Sequence, residues 1–324
     1  MQFKLKLVLA FATSLPSLSA LAAETLAADV PAAAVLHAEI VQDSRSDDVL
    51  RVQVLLDRAN FGPGEIDGVF GSNVAKAVGG FQRSRGLDDN GVLNEATWTE
   101  LEKDAAPTLV EYTITQADVD GPYIDMPTDL IEKSQLPALG FRTMVEALGE
   151  RFHASPALLL SLNKSMERGE AGSVIKVPNV EGTPALAQAS KLVVEQSSLT
   201  VTLLDANDEV IGQFPATTGS SHDPLPIGTW KVNGVARNPV FNYDPELFWN
   251  ADPAHGKAVL KGGPNNPVGA VWIDLSKAHY GIHGTPEPSK IGKTESHGCI
   301  RMTNWDALLV AAAVKPGVQV ILQD

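Results

Sequence analysis

The spacing of the apolar residues changes once along this chain, near residue 190, and that change limits what the chain can fold into. Upstream of it, Val52, Leu55, Leu56 and Ala59 recur at i, i+3, i+4 and i+7, which is one face of a helix. Val74, Ala77, Val78 and Phe81 repeat the spacing behind Ser72, a good N-cap. Between them, residues 61–71 read FGPGEIDGVFG, a glycine-dense turn region. A third short helix carries Trp98 and Leu101, so residues 46–104 read as a small three-helix domain. Downstream of the change the runs are short and β-rich: 192–195, 199–204, 210–216, 228–232, 271–275, 280–283 and 319–322. Turn-formers such as Asp205-Ala206-Asn207-Asp208 separate them, and one helix is expected over 304–314, ending before Pro316. Many short strands with few helices predict a mostly β domain, a sandwich or barrel-like fold, over 190–323.

The segment between, 109–179, is α+β in pattern. Residues 112–115 alternate like a strand, and Phe141, Val145, Leu148 and Phe152 form one helical face. Ser155-Pro156 is a cap and first residue for a second helix, and 172–178 returns as a strand holding Val174, Ile175 and Val177.

A length of 324 residues suits two or three such domains, at roughly 100–200 residues each. The net charge of −14 argues against nucleic acid, which draws concentrated Lys and Arg. At the N-terminus, Lys4 and Lys6 precede a largely apolar stretch, and Ala20-Leu21-Ala22 fits the small-x-small pattern of signal cleavage. A membrane anchor needs roughly 20 continuous apolar residues, and this stretch is shorter. Residues 1–22 are therefore expected to be a signal peptide, leaving no membrane span after cleavage and an exported, periplasmic or wall-associated protein. Residues 23–45, rich in Ala, read as a linker.

An exported protein usually holds its cysteines in pairs, yet this chain has one, Cys299. It is a packed core thiol, an intermolecular link, or a reactive group. A thiol attacks as its thiolate, and with an ordinary pKa near roughly 8.5 it benefits from a nearby base. His283 and His297 are the candidates, in the stretch GIHGTPEPSKIGKTESHGCIRM. His283 ends a strand and precedes a glycine, which suits a ring projecting into a cleft. Gly298 can take backbone angles closed to other residues, letting the amides of residues 297–299 converge as an oxyanion hole. Zinc held by Cys299, His297 and His283 is an alternative, though the spacing matches no common finger.

Further readings come from resemblance. The run with Gly64-Glu65-Ile66-Asp67-Gly68, Phe70-Gly71 and Phe81-Gln82 resembles the helical peptidoglycan-binding domain, although those residues individually read as fold-forming. Strand, helix, helix, strand over 109–179 resembles the LysM glycan-binding module, departing from it by a long insertion at 116–140; a spacer domain is the other reading. His283-Gly284-Thr285 followed by Ser296-His297-Gly298-Cys299-Ile300-Arg301-Met302 resembles the signature of the L,D-transpeptidase catalytic domain. Thr218-Gly219, 226–230 (PIGTW) and 263–267 (GPNNP) precede it in the expected order.

This last resemblance implies a β-sandwich-like catalytic domain over 190–323. Cys299 would be the nucleophile, His283 the base, and the Gly284 carbonyl the group that orients the imidazole. The amides of His297, Gly298 and Cys299 would form the oxyanion hole. Ser296 would order the loop or touch substrate, and Arg301 would support the pocket, meet a substrate carboxylate or form a structural ion pair. No cofactor or metal is implied. The implied partners are peptidoglycan stem peptides and glycan, and the implied reaction passes through a thioester on a stem tetrapeptide, releasing D-alanine. A second stem's amine would give a 3→3 crosslink, an amine-bearing protein would be anchored, and water would make an L,D-carboxypeptidase. A non-catalytic peptidoglycan-binding protein is the alternative from a different class.

Overall fold

The computed structural model describes residues 39–164, 166, 169–296 and 298–324; the expected signal peptide and most of the linker lie outside them. Among the described residues no helix is long and apolar enough to cross a membrane.

Three helices come first: α1 (Asp47–Arg58), α2 (Ser72–Ser84) and α3 (Glu95–Leu101). The Ser46 hydroxyl accepts the Val49 N–H to cap α1, with Asp47 and Asp48 in the first turn and Arg58 in the last, as the helix dipole favours. α2 starts one residue earlier than expected: Gly71 is the N-cap and Ser72 the first helical residue. The expected apolar stripe of α1 enters a core with Phe61, Phe70, Val74, Phe81 and Trp98. Its opposite side, Leu50 and Val54, is buried too, against Leu148, Phe152 and Ile175 of the next segment. A one-faced helix was the sequence expectation; both faces are covered because α1 lies between two cores.

The sequence landmarks of this region serve the fold. The Gln53 side chain accepts the Gly68 N–H at 2.8 Å and donates to Asp67 Oδ1 at 2.9 Å, holding the glycine-rich turn. Gln82, 0% exposed, donates to the Val92 carbonyl and Thr97 Oγ1, both at 2.8 Å, and accepts the Gly91 N–H at 2.9 Å. Gln82→Ala removes all three bonds and leaves a hole in the core where the amide stood. The expected loss is about 3 kcal/mol, read by chemical denaturation.

The middle segment pairs β1 (Leu109–Thr113) with β2 (Val174–Pro178), antiparallel, Tyr112 opposite Ile175. Between them run α4 (Gln116–Asp120), α5 (Leu130–Ser134), α6 (Met144–Arg151) and α7 (Pro156–Leu162). The order strand, helix, helix, strand holds once α4 and α5 of the insertion are set aside. α6 is shorter than its apolar face suggests, because the Thr143 hydroxyl caps it after Phe141 and Phe152 lies past its end. The insertion packs Leu139, Leu136 and Ile131 against Tyr243 and Leu260 of the last domain, and the Leu139 N–H donates to the Gly262 carbonyl.

The remaining strands are β3 (Lys191–Glu195), β4 (Thr200–Leu204), β5 (Val210–Pro215), β6 (Gly228–Arg237), β7 (Phe241–Tyr243), β8 (Ala258–Leu260), β9 (Val271–Leu275), β10 (Gly281–His283), β11 (Ile300–Arg301) and β12 (Gln319–Gln323), with α8 (Asn304–Ala313) before the last. β7 and β8 form a separate ribbon. The other eight make one sheet in the order β11-β10-β9-β6-β12-β3-β4-β5. β6 joins its halves: it pairs with β12 over 228–231, then, from Val232 and across a bulge at Val232/Gly234, with β9. Bulges bend and twist a strand, so the sheet curls around one core of Leu192, Val201, Ile273, Ile282, Ile300 and Val320, and α8 packs on β9 and β10.

Candidate active site

β10 and β11 run parallel, with Ile282 opposite Ile300 and His283 opposite Arg301. Side chains alternate along a strand. Ile282 and Ile300, both 0% exposed, point into the core, so His283 and Arg301 share the other face. Cys299, half-buried, leads into β11 two residues before Arg301. Strand pairing thus brings together residues 283, 299 and 301, which lie 16 and 18 positions apart along the chain.

The state of the imidazole follows from one contact. His283 Nδ1 lies 2.7 Å from the Gly284 carbonyl oxygen. A carbonyl only accepts, so Nδ1 carries the hydrogen and Nε2 presents a lone pair. Trp272, opposite His283 on β9, stacks on the ring at 5.4 Å and 18°. Burial, reinforced by the Arg301 charge, pulls the pKa of His283 down to about 3. The ring is neutral across the neutral range.

Burial pushes the Cys299 thiol above its ordinary value, while the Gly281 amide and Arg301 pull it back in part. The resting pair is therefore thiol and neutral imidazole, with no thiolate–imidazolium pair formed in advance. In this state the thiol donates to the His279 carbonyl at 3.7 Å rather than to the ring.

The loop before the cysteine is held from within. Ser296, buried, donates to the Cys299 carbonyl at 2.7 Å, and the Ser296 N–H donates to the Thr218 carbonyl. Gly298 sits at φ +97°, a conformation that disfavours side chains. The Gly298 N–H, expected to face an oxyanion, donates to Ser296 Oγ at 3.2 Å, because the tight loop folds that amide back onto the hydroxyl. His297, the other expected donor, lies outside the described residues. Arg301 is fixed through its backbone, which exchanges two hydrogen bonds with Thr217. Among the described residues no group of three or more His, Cys, Asp or Glu side chains is placed to hold a metal ion.

Sequence reasoning missed Trp272 and Asn304. Trp272 carried a signal: in residues 271–275 the alternation puts Val271 and Ile273 inward and the tryptophan outward, on the face of His283. The GPNNP run is a docking turn: Asn266 holds the turn, and Asn265 Nδ2 donates to the Gly140 carbonyl at 2.8 Å and Glu146 at 3.1 Å, tying on the middle segment.

Comparison with known proteins gives two family matches. The model described as "L,D-transpeptidase catalytic domain" matches residues 189–322, and "Putative peptidoglycan binding domain" matches 45–101. "Putative L,D-transpeptidase YkuD" of Bacillus subtilis is 31% identical over 179 residues, 55% of this chain and 92% of that protein. "Probable L,D-transpeptidase YbiS" of Escherichia coli is 23% identical over 226 residues, 67% of this chain and 72% of that one. A solved L,D-transpeptidase from Mycobacterium smegmatis shares 22% identity at a TM-score of 0.34, covering 48% of this chain and 75% of that one.

Proposed function

Because this chain belongs to the L,D-transpeptidase family, we propose that it acts on peptidoglycan stem tetrapeptides through a thioester on Cys299. The observation that carries the reading is the fixed tautomer of His283: its Nδ1–H is held by Gly284 and its Nε2 lone pair is left to accept the thiol proton. His283 takes that proton as sulfur attacks the carbonyl between the third stem residue and the terminal D-alanine. The tetrahedral intermediate collapses, and D-alanine leaves with the proton returned from Nε2. An amine then attacks the thioester, its excess proton passing to His283 and the thiol being regenerated. A second stem's diamino acid as the amine gives a 3→3 crosslink.

The amides of Gly298 and Cys299, with that of His297, serve the oxyanion. The incoming carbonyl oxygen replaces Ser296 Oγ as acceptor for Gly298, a bond long enough to be exchanged at little cost. Arg301, beside the thiol, tunes Cys299 and His283 together. Ser296→Ala removes both loop bonds and is expected to lower turnover about tenfold with the fold retained, as two ordinary hydrogen bonds allow. Thermal melting beside D-alanine release checks it.

Residues 1–22 act as the export signal, the enzyme works in the periplasm or at the wall, and the domains are 46–104, 109–179 and 190–323. The helical domain holds the chain near glycan; the middle one, with its LysM-like order, contributes to that or spaces it. Mass spectrometry of muropeptides, after purified sacculi are incubated with the protein, tests the reading. Crosslinked dimers that Cys299→Ala does not form are expected. Trimmed stems alone would mean water is the acceptor, and unchanged muropeptides would sink the enzyme reading.

A further inference from the structure

We infer that Asn304, at the start of α8, is a positioning residue for the catalytic base, and that Glu150 of the middle segment tethers it. The inference rests on the assignment of His283 as base. Asn304 is 1% exposed. Its Oδ1 accepts the Ala270 N–H at 2.9 Å, and its Nδ2 donates to the Pro264 carbonyl at 3.2 Å. That oxygen also fills the space beside Gly284, where a Cβ would lie 2.0 Å from it, and the same oxygen would meet a Cβ on Gly269 at 2.1 Å. No side chain fits at 284 while Asn304 stands there.

The physical consequence is a chain of contacts ending on the imidazole. Asn304 fixes the backbone on either side of it, at 264, 270 and 284, and the Gly284 carbonyl fixes the tautomer of His283. With Asn304 removed, Gly284 loses the side chain packed against its Cα, and its carbonyl gains room to turn away from Nδ1. The ring could then rotate or exchange tautomers, and Nε2 would no longer present its lone pair toward the sulfur.

Glu150, near the end of α6, faces the Asn304 side chain, whose amide pulls down in part the carboxyl that burial raises. The pair lines a cavity of about 240 Å³ walled also by Glu65 of the helical domain and by Pro286 and Glu287 of the loop after the base. The accessory segments therefore reach the base through one amide, and their docking sets how firmly the Gly284 carbonyl is aimed.

The test uses the purified full chain with Asn304→Ala, Glu150→Ala and Glu150→Gln, each measured in two ways. Steady-state turnover of a stem tetrapeptide should show Asn304→Ala lowering kcat about 100-fold, the cost of a displacement on the order of 1 Å, with KM unchanged. Glu150→Ala should fall in the same direction by less. Glu150→Gln should restore activity, since it keeps the shape and a polar oxygen facing Asn304. Alkylation of Cys299 by iodoacetamide is the second readout. Asn304→Ala should slow it at neutral pH, where the thiol needs the base, and leave it unchanged at alkaline pH, where the thiolate forms unaided. A purely structural loss would lower both pH limits together and would overturn the inference, as would a folded Asn304→Ala with wild-type kcat. If Asn304→Ala does not fold, Glu150→Ala and Glu150→Gln decide, and equal impairment of the two overturns the tether. A wild type silent on the tetrapeptide, whose neutral-pH alkylation still drops in His283→Ala and Asn304→Ala, would sink the substrate assignment and support this one.

Discussion

His283→Ala is expected to lower tetrapeptide turnover at pH 7 by about 10²–10⁴-fold, the contribution of a well-placed acid–base group. The reason is the resting state of the pair. Burial raises the thiol and lowers the imidazole, so both are neutral before substrate arrives and the thiolate exists only while His283 holds its proton. Two pH profiles follow. In the wild type, activity is lost on the acid side only as the ring protonates. With its pKa at about 3, the profile stays flat from neutral pH well into the acid range. In His283→Ala the thiolate must form by simple ionisation, so turnover should climb about tenfold per pH unit toward the raised thiol pKa. A preformed ion pair would behave differently, with an acid limb at the pKa of a depressed thiol. Rates of D-alanine release across pH for both proteins make the comparison; a variant within tenfold of wild type at pH 7 would remove His283 from the role.

Much of this site was legible in the residues, and what was not has a physical cause. The alternation that turns Ile282 and Ile300 to the central core turns His283 and Arg301 to the opposite face, so their shared face needed only the period of a strand. The pairing of β10 with β11 could not be read from period alone, since registers are set across the sheet; the signature motif supplied it by resemblance. The inward hydrogen bond of the Gly298 amide was not foreseen, because a loop's internal bonds compete with the role its glycine suggests. The second buried face of α1 carried a faint signal, Leu50 and Val54 at i and i+4, which reads as surface until a neighbour is known. Asn304 gave none: as an asparagine at a helix start it reads as a cap, while Thr303 holds that role and frees the amide to face Gly284.

The contacts that fasten the accessory segments to α8 should make this protein more stable in mild acid than in mild base. His153, just past α6, lies with Nδ1 2.9 Å from Asp57 of α1 and stacks on Trp305 at 5.1 Å and 9°. Asp306, the next residue on α8 and 1% exposed, faces both His153 and Asp57, and Glu150 stands near His153 from α6. Burial, with Asp57 adding repulsion, pushes Asp306 up to about 7, and burial pushes Glu150 to about 7. Both carboxyls therefore keep a proton in the folded state that the unfolded chain releases near its ordinary pKa. Their stabilisation is complete below that ordinary pKa and is lost as pH rises through 7. His153, raised by Asp57, acts in the same sense. His283 opposes them: its folded value lies below the unfolded one, so stability it contributes above roughly pH 6.5 is lost as pH falls toward 3. Between about pH 4.5 and 6.5 the two carboxyls outnumber the one ring, and stability should still rise as pH drops. Asp306→Asn keeps the shape and removes the ionisation. At pH 8 it is expected to stabilise the fold by up to about 4 kcal/mol, or roughly 10 °C in Tm, and at pH 5 by less than half of that, about 1.5 kcal/mol. Thermal melts of both proteins at the two pH values decide the matter. Equal destabilisation of the variant at both would mean that Asp306 is ionised and held by a partner worth keeping. A gain that grows from pH 5 to pH 8 would mean that the junction between α1, α6 and α8 is weakened as Asp306 ionises.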